Sequence, residues 1–387
     1  MMKIKLIDTF CIGNEHVQFN TSLLAMLSII NSKVLYYASK SNKENVFMLG
    51  ESKYKFHEKI VYKPILVWNG TGHISLLFRY VISLLQNIRF LISSKKSDFL
   101  IFNYNNSFSL SLVNLLNKIL NRKILIFCHG ELEMLQSTDS GSMLSKLLKI
   151  CLCVFFLKNT KINKNIHFCV LGESVLNNVK KIVTHEICSK FHYIDHPYIY
   201  SQQKDRIRNT NLNFVIGIIG SFSKQKGGDS FLSLARKFRE NNKNNVKFSI
   251  TGRIYECIRE LEDLGISLPR NKGEKTIPFE EFYERIQQLR YIIFLYPADS
   301  YKLIASGAIM DAIDFEIPII GLKNQYFEYM FSKFGRFGFL FDNIDDIYDF
   351  INTDGFIYGL NINFAELKEA TSPEKISQRL QTIITNI

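Results

Sequence analysis

The sequence predicts an α/β protein of two parallel-sheet domains, and three observations predict it. Short apolar runs of strand length alternate with stretches whose apolar residues recur at helical spacing. These runs end in polar or glycine-bearing clusters, where open parallel sheets bind their ligands. The alternation breaks at His196-Pro197 and the polar run Ser201–Asn213, then starts again, so that run reads as a linker. A length of 387 residues also favours two domains at about 100–200 residues each.

In the first half, Lys3–Thr9 reads as a strand, Gly13-Asn14-Glu15-His16 as a polar loop and Val17–Ile30 as a helix. Asp98–Asn103 is a buried-type strand followed by an apolar helix over Ser107–Leu120. Lys123–Cys128 is a strand ending in His129-Gly130-Glu131, and His167–Leu171 is another ending in Gly172-Glu173-Ser174. The second series opens with the strand Phe214–Ile219, a glycine-lysine loop and a helix from about Asp229. Strands follow at Val246–Ile250, Tyr291–Leu295 and Ile317–Gly321, with a helix from about Ser306 to Phe315. Pro373–Ile387 reads as a last helix.

Composition narrows the function classes. At 47% hydrophobic the chain is an ordinary globular protein and not a disordered one. Seven Pro and 20 Gly exclude a collagen-like or linker-dominated chain, and no internal repeat is visible. The start of the chain reads as a strand and not as a signal peptide. Spanning a bilayer needs about 20 apolar residues, and the longest unbroken apolar run is Ile150–Leu157, so a cytoplasmic protein is expected. The seven cysteines mostly sit inside apolar runs and read as small core residues; Cys151 and Cys153 have no second pair at zinc-like spacing, and no metal site is expected.

A net charge of +12 predicts an anionic partner. Lys59–Ser97 and Gly141–Gly172 contain no Asp or Glu but several Lys and Arg, mixed with apolar residues. That mixture suits peripheral contact with anionic lipid, at the inner face of the cytoplasmic membrane, or with a lipid-diphosphate-linked acceptor. It carries no base-stacking motif, so nucleic acid is not the expected partner.

Gly217-x-x-Gly220-Ser221-x-x-Lys224-x-Lys226-Gly227 carries the strongest local signal. Glycines directly after a strand let backbone N–H groups approach an anion, the next helix start adds partial positive charge, and Lys224 and Lys226 supply full charges. The set suits a diphosphate and matches neither a P-loop nor the dinucleotide fingerprint. Ser306-Gly307 then opens a helix with small residues, and Asp311 lies about one turn on, placed to accept from ribose hydroxyls.

These residues together resemble the glycosyltransferases of the GT-B fold, close to the large retaining family 4. Gly220-Ser221-Phe222 through Lys226-Gly227-Gly228 is similar to the family's G-R-L-x-x-x-K-G, and Phe248–Gly252 to its strand and G-x-G turn. Ile292–Pro297 resembles its D-V-F-V-L-P-S strand, and Asp311–Ile320 its E-A-M-A-x-G-x-P-V-I. In the first half, Gly13–Val17 looks like the glycine loop after strand one, and His129-Gly130-Glu131 and Gly172-Glu173-Ser174 like later strand ends. The sequence departs from the pattern at Leu303, where the family's first glutamate would fall, and at Arg253, where its second turn glycine would stand.

The resemblance implies two Rossmann-like domains facing across a cleft: residues 1–197 on the acceptor side, 213–370 binding the nucleotide sugar, and helix 371–387 able to pack back on the first. It implies transfer of a sugar from a nucleotide diphosphate sugar to a hydroxyl of a saccharide or lipid-linked saccharide in surface polysaccharide synthesis. No cofactor beyond the donor substrate is expected. Gly13, Gly220, Ser221, Lys224, Lys226, Arg253, Lys302, Ser306, Gly307 and Asp311 are the expected donor-binding residues. His129, Glu131 and Lys226 are the expected catalytic residues, with Glu15, His16 and Glu173 as acceptor-side candidates. A nucleotide-sugar epimerase of the same fold and a catalytically silent scaffold or binding subunit remain alternatives. The donor, the acceptor and the stereochemistry stay open.

Overall fold

A computed structural model describes residues 3–31, 33–70, 72–136, 141–158, 160–201, 214–241, 246–275, 277–353 and 361–387. The chain divides into two units: unit 1 is Met1–Ile199, Lys302–Ala305 and Ala370–Ile387, and unit 2 is Tyr200–Tyr301 and Ser306–Glu369. Apart from Ser201, the run expected as a linker lies outside the described residues.

Unit 1 alternates strands and helices. Its first part runs β1 (Lys3–Ile7), α1 (Val17–Ile30), β2 (Val34–Ala38), α2 (Lys40–Tyr54), α3 (Phe56–Lys59) and β3 (Ile60–Pro64). There follow α4 (Gly72–Ser93), β4 (Asp98–Phe102), α5 (Leu110–Leu120), β5 (Lys123–Phe127) and α6 (Met143–Leu157). It continues through β6 (Ile166–Leu171), α7 (Glu173–Ile182), α8 (His185–Cys188) and β7 (Phe191–Ile194). The seven strands lie in the order β3-β2-β1-β4-β5-β6-β7, and every pair is parallel. The order reverses between β1 and β4, where Ile7 pairs with Phe102. In β4, buried at all five positions, Phe99–Phe102 form a continuous apolar run after Asp98, because helices cover both faces of a parallel sheet.

Unit 2 repeats the plan with β8 (Phe214–Ile219), α9 (Gly228–Glu240), β9 (Val246–Thr251), α10 (Ile258–Asp263), α11 (Phe279–Ile286) and β10 (Tyr291–Phe294). After these come α12 (Gly307–Asp314), β11 (Ile319–Leu322), α13 (Gln325–Phe334), β12 (Gly338–Phe341), α14 (Ile344–Asn352) and α15 (Phe364–Ala370). Its sheet order is β12-β11-β10-β8-β9, parallel throughout, and it reverses between β8 and β10. Phe222, Phe231, Phe238 and Phe248 fill the core between sheet and helices.

The last helix, α16 (Pro373–Asn386), belongs to unit 1. Ser372 caps it, Pro373 opens it, and Ile376, Leu380, Ile383 and Ile384 enter the core that holds Leu23 and Leu27 of α1.

Three expectations are corrected. The helix after β4 begins at Leu110 and not Ser107, because Asn106 Oδ1 accepts the N–H of Phe108 in a turn. Of the cysteines, Cys11, Cys128 and Cys169 are core residues, but Cys257 is exposed. Finally, α4, at 22 residues, is long and apolar enough to cross a membrane by length and composition. A search for an unbroken apolar run misses it, since Arg79, Gln86, Asn87 and Arg89 interrupt the pattern.

Candidate functional site

In unit 2 three backbone segments converge at the carboxyl ends of β8, β9 and β10. Gly252 is packed so tightly that a Cβ there would lie 1.6 Å from the carbonyl oxygen of Gly220, and one at Gly227 would lie 1.9 Å from that of Leu295. Only glycine fits at either position, and Gly220 and Gly227 also sit at φ +79° and +83°. Phe222 N–H donates to Arg253 O at 2.8 Å and Tyr255 N–H to Phe222 O at 3.0 Å, locking the β8 and β9 loops together. Ser221, Lys224 and Lys226 ride on this frame, with Lys224–Lys226 forming one short helical turn. Lys224 N–H donates to Glu256 Oε1 at 2.7 Å. Lys226 is half-buried, and burial lowers the pKa of its ammonium. Arg253 is exposed, its guanidinium 4.9 Å from the Tyr255 ring centroid.

The loop after β10 stacks Tyr296 on Tyr301, ring centroids 4.2 Å apart and planes 3° apart. Tyr301 holds φ +58°, a left-handed conformation costly for a bulky residue. Ser306 is 2% exposed and precedes α12 without capping it by a side-chain hydrogen bond, so the amides at the helix start carry no side-chain cap. Gly307 is the first residue of α12, and Asp311 lies half-buried one turn on. The buried carboxylate of this helix is Asp314, which takes the N–H and Oγ of Ser201, both at 2.9 Å. The loops after β8 and β10 flank the reversal point of the sheet, where open α/β sheets bind ligands.

In unit 1 a buried polar cluster organises the strand ends. Asp8, fully buried, accepts the N–H groups of Phe10 and Cys11 on one oxygen and Asn20 Nδ2 at 2.7 Å on the other. Asn20 Oδ1 in turn accepts from Asn103 Nδ2 at the end of β4. Gly13, at φ +51°, donates its N–H to Ser41 Oγ at 3.1 Å. Glu15 is held by Arg79 Nη1, 2.9 Å from each carboxylate oxygen. His16 and His129 rings lie 4.7 Å apart, and Phe19 meets His129 edge-on at 4.6 Å.

His129 Nε2 lies 2.8 Å from Asn103 O, a carbonyl that can only accept, which assigns the proton to Nε2 and leaves Nδ1 basic. Burial drives the His129 pKa well below the usual histidine range. Glu131, 7% exposed, accepts the N–H groups of His129 and Gly130 at 3.0 and 3.1 Å and Asn105 Nδ2 at 2.8 Å. Burial raises its carboxyl pKa against those donors. Glu173, first residue of α7, accepts Tyr193 Oη at 2.8 Å. Lys302 and Leu303 also belong to unit 1. Asn178 Nδ2 donates to Lys302 O at 2.9 Å, and Leu303 N–H donates to Glu133 Oε2 at 2.7 Å.

Solved structures share this architecture. The structure of Anabaena Alr3699/HepE in complex with UDP aligns over 100% of both chains at TM-score 0.62 and 12% identity. WaaG, a glycosyltransferase involved in lipopolysaccharide biosynthesis, aligns over 100% of both at 0.59 and 12%. The lipopolysaccharide outer core galactosyltransferase WaaB, in its apo form, does so at 0.58 and 13%. The chain has the GT-B fold. No family model matches the chain, and no curated protein matches it in sequence.

Within this GT-B chain, unit 2 brings Gly220, Ser221, Lys224, Lys226 and Arg253 onto one frame and sets Ser306, Gly307 and Asp311 at the next strand end. Unit 1 holds Gly13, Glu15, His16, His129, Glu131 and Glu173, and also Lys302. Sequence reasoning missed Asp8, Asn20 and Asn103; the only signal was an Asp closing the first apolar run. It also missed Glu133, whose partner stands 170 residues away.

Proposed function

We propose that this chain transfers a glycosyl group from a nucleoside diphosphate sugar to a hydroxyl of a saccharide or lipid-linked saccharide, acting in the cytoplasm in surface polysaccharide synthesis. One observation carries the reading: the glycine-only packing of Gly227 and Gly252, with the positive φ of Gly220, which sets lysine-bearing loop amides at the sheet reversal of unit 2. Such a frame suits a diphosphate. The fold likeness supports it, since the HepE structures were solved with UDP and with UDP-glucose. UDP and its sugars are therefore the first donors to test.

In this reaction the bond from the anomeric carbon to the diphosphate breaks, a bond to the acceptor oxygen forms, and the hydroxyl loses its proton. Lys226, Lys224 and the amides near Ser221 and Ser306–Gly307 stabilise the charge gathering on the departing diphosphate. Arg253 and Asp311 bind the nucleoside portion. On the acceptor side His129 Nδ1 takes the proton, with Glu131 holding the loop that presents it.

A thermal-shift screen of nucleoside diphosphates and their sugars tests the reading. A true ligand at 100 times its Kd adds about 2.7 kcal/mol to the stability of the fold. Sugar transfer to a hydroxyl acceptor is the expected second result. Sugar conversion without an acceptor would favour the epimerase, and binding without turnover the silent subunit.

A further inference from the structure

Three helices of unit 1 show apolar stripes to solvent, and two of them, α4 and α5, also bury polar side chains against the protein. In α4 the inward side carries Arg79, Ser83 and Asn87 beside Tyr80, Phe90 and Leu91, all buried. Thr9 Oγ1 lies 2.7 Å from Ser83 Oγ and donates to Asn87 Oδ1 at 3.1 Å, while Asn87 Nδ2 donates to Ser109 Oγ at 3.1 Å. The outward side shows Ile74, Phe78, Val81, Leu85 and Ile92. In α5 Asn114 and Asn117 are buried, whereas Leu115 and Ile119 are 59% and 83% exposed. In α6 Met143, Leu147, Ile150, Val154 and Leu157 form an exposed stripe at helical spacing.

These stripes lie on neighbouring helices. Tyr80 of α4 packs with Leu144 and Leu148 of α6 in one small core. Asn87 ties α4 to the start of α5, and Asn114 of α5 donates to Lys161 O, just past α6. An ordinary surface helix shows polar residues to solvent, and an exposed apolar face shared by several helices marks a contact surface.

We propose that this face docks on an anionic lipid surface, with the helices lying in the plane of the interface. Its charge identifies the occupant. None of the three helices contains an Asp or Glu, while Arg89, Lys118, Lys146, Lys158 and Lys161, on or beside them, are exposed. Such side chains rest their stems on apolar surface and lift their charges to the headgroups. A second copy of the chain would set these lysines against their own counterparts across a two-fold axis. Although α4 is long enough to span, its inward side is held by the Arg79–Glu15 ion pair and by the hydrogen bonds of Ser83 and Asn87 to Thr9. A helix with one face committed to protein in this way lies on a bilayer. The inference rests on this surface alone, so its failure leaves the transfer reading untouched.

Sedimentation of the full chain with vesicles of phosphatidylcholine alone, and of phosphatidylcholine with phosphatidylglycerol, tests it. The chain partitions to the anionic vesicles, and salt releases it. The pair Leu147→Ser with Ile150→Ser, and separately Lys146→Glu with Lys158→Glu, each weaken partition by roughly tenfold or more. All four positions are exposed or lie at the helix surface, so the melting midpoint stays near that of the parent chain. Equal partition to both vesicle types, or to neither, overturns the proposal. So does a dimer in light scattering that Leu147→Ser with Ile150→Ser separates while vesicle binding is absent.

Discussion

The carboxylate of Glu133 accepts the backbone N–H of Leu303 at 2.7 Å. Leu303 is 1% exposed, and the residue beside it, Ile304, packs where a side chain at Gly130 would otherwise stand. The position at which the resemblance to family 4 calls for a glutamate is therefore filled by an apolar side chain buried in unit 1, its main chain gripped by a carboxylate.

Removing that grip destabilises unit 1. Glu133→Ala leaves the Leu303 N–H without its charged acceptor and lowers the stability of the fold by about 1–3 kcal/mol. Glu133→Gln keeps an acceptor and costs less. Urea unfolding of the three proteins measures the difference, and identical midpoints for all of them would show that the contact contributes nothing.

The glycines of unit 2 separate by mechanism. Gly220→Ala meets nothing within 4 Å but must hold φ +79°, a strain of about 1–2 kcal/mol. Gly252→Ala drives a methyl into the Gly220 carbonyl, which cannot swing aside as a side chain would. Calorimetric melting should rank Gly252→Ala well below Gly220→Ala, with Gly227→Ala also low because it combines a clash with positive φ.

Stability should fall as the solution is acidified from pH 6.5 toward 4. Burial pushes His167 and His196 down to about 4 in the folded chain, against about 6.5 when unfolded. The unfolded chain thus binds more protons in this window, so stability present above 6.5 is lost as the pH drops. Glu131 works in the opposite sense, because burial raises its pKa and folding takes up its proton more readily. Urea midpoints across this range check the slope, and His167→Gln should flatten it.

His129 and Glu131 should differ in what they do to turnover. His129→Gln keeps an amide near Asn103 and removes the basic nitrogen, lowering transfer by about 10²–10⁴-fold with donor affinity unchanged. Glu131→Gln retains most of the loop's hydrogen bonds, so it loses stability before it loses proton transfer. Steady-state rates alongside melting curves resolve the two.

Much of this was legible in the sequence, for physical reasons. Helix α1 and strand β8 appear at the bounds read from their patterns, Val17–Ile30 and Phe214–Ile219, because both are apolar runs with polar punctuation at their ends. Strands β2, β3, β7 and β12 went unread. They are four or five residues long, and neither alternation nor length separates them from helix or loop. The glycine-lysine loop was legible because it depends on residue types in one short segment. Glu131 was legible only as a loop residue, since nothing local says that its carboxylate turns inward onto the amides of His129 and Gly130. The exposed apolar face of α4 lay beyond the pattern, because periodicity marks a face without saying which side meets water.

The most direct test titrates UDP, and then other nucleoside diphosphates, into the full chain and into Lys226→Ala by calorimetry. Loss of one charged contact to the diphosphate should weaken binding about 10–100-fold, with the melting midpoint of the ligand-free protein unchanged. Equal affinity in the two proteins, or no binding of any nucleoside diphosphate to the parent chain, would contradict the account.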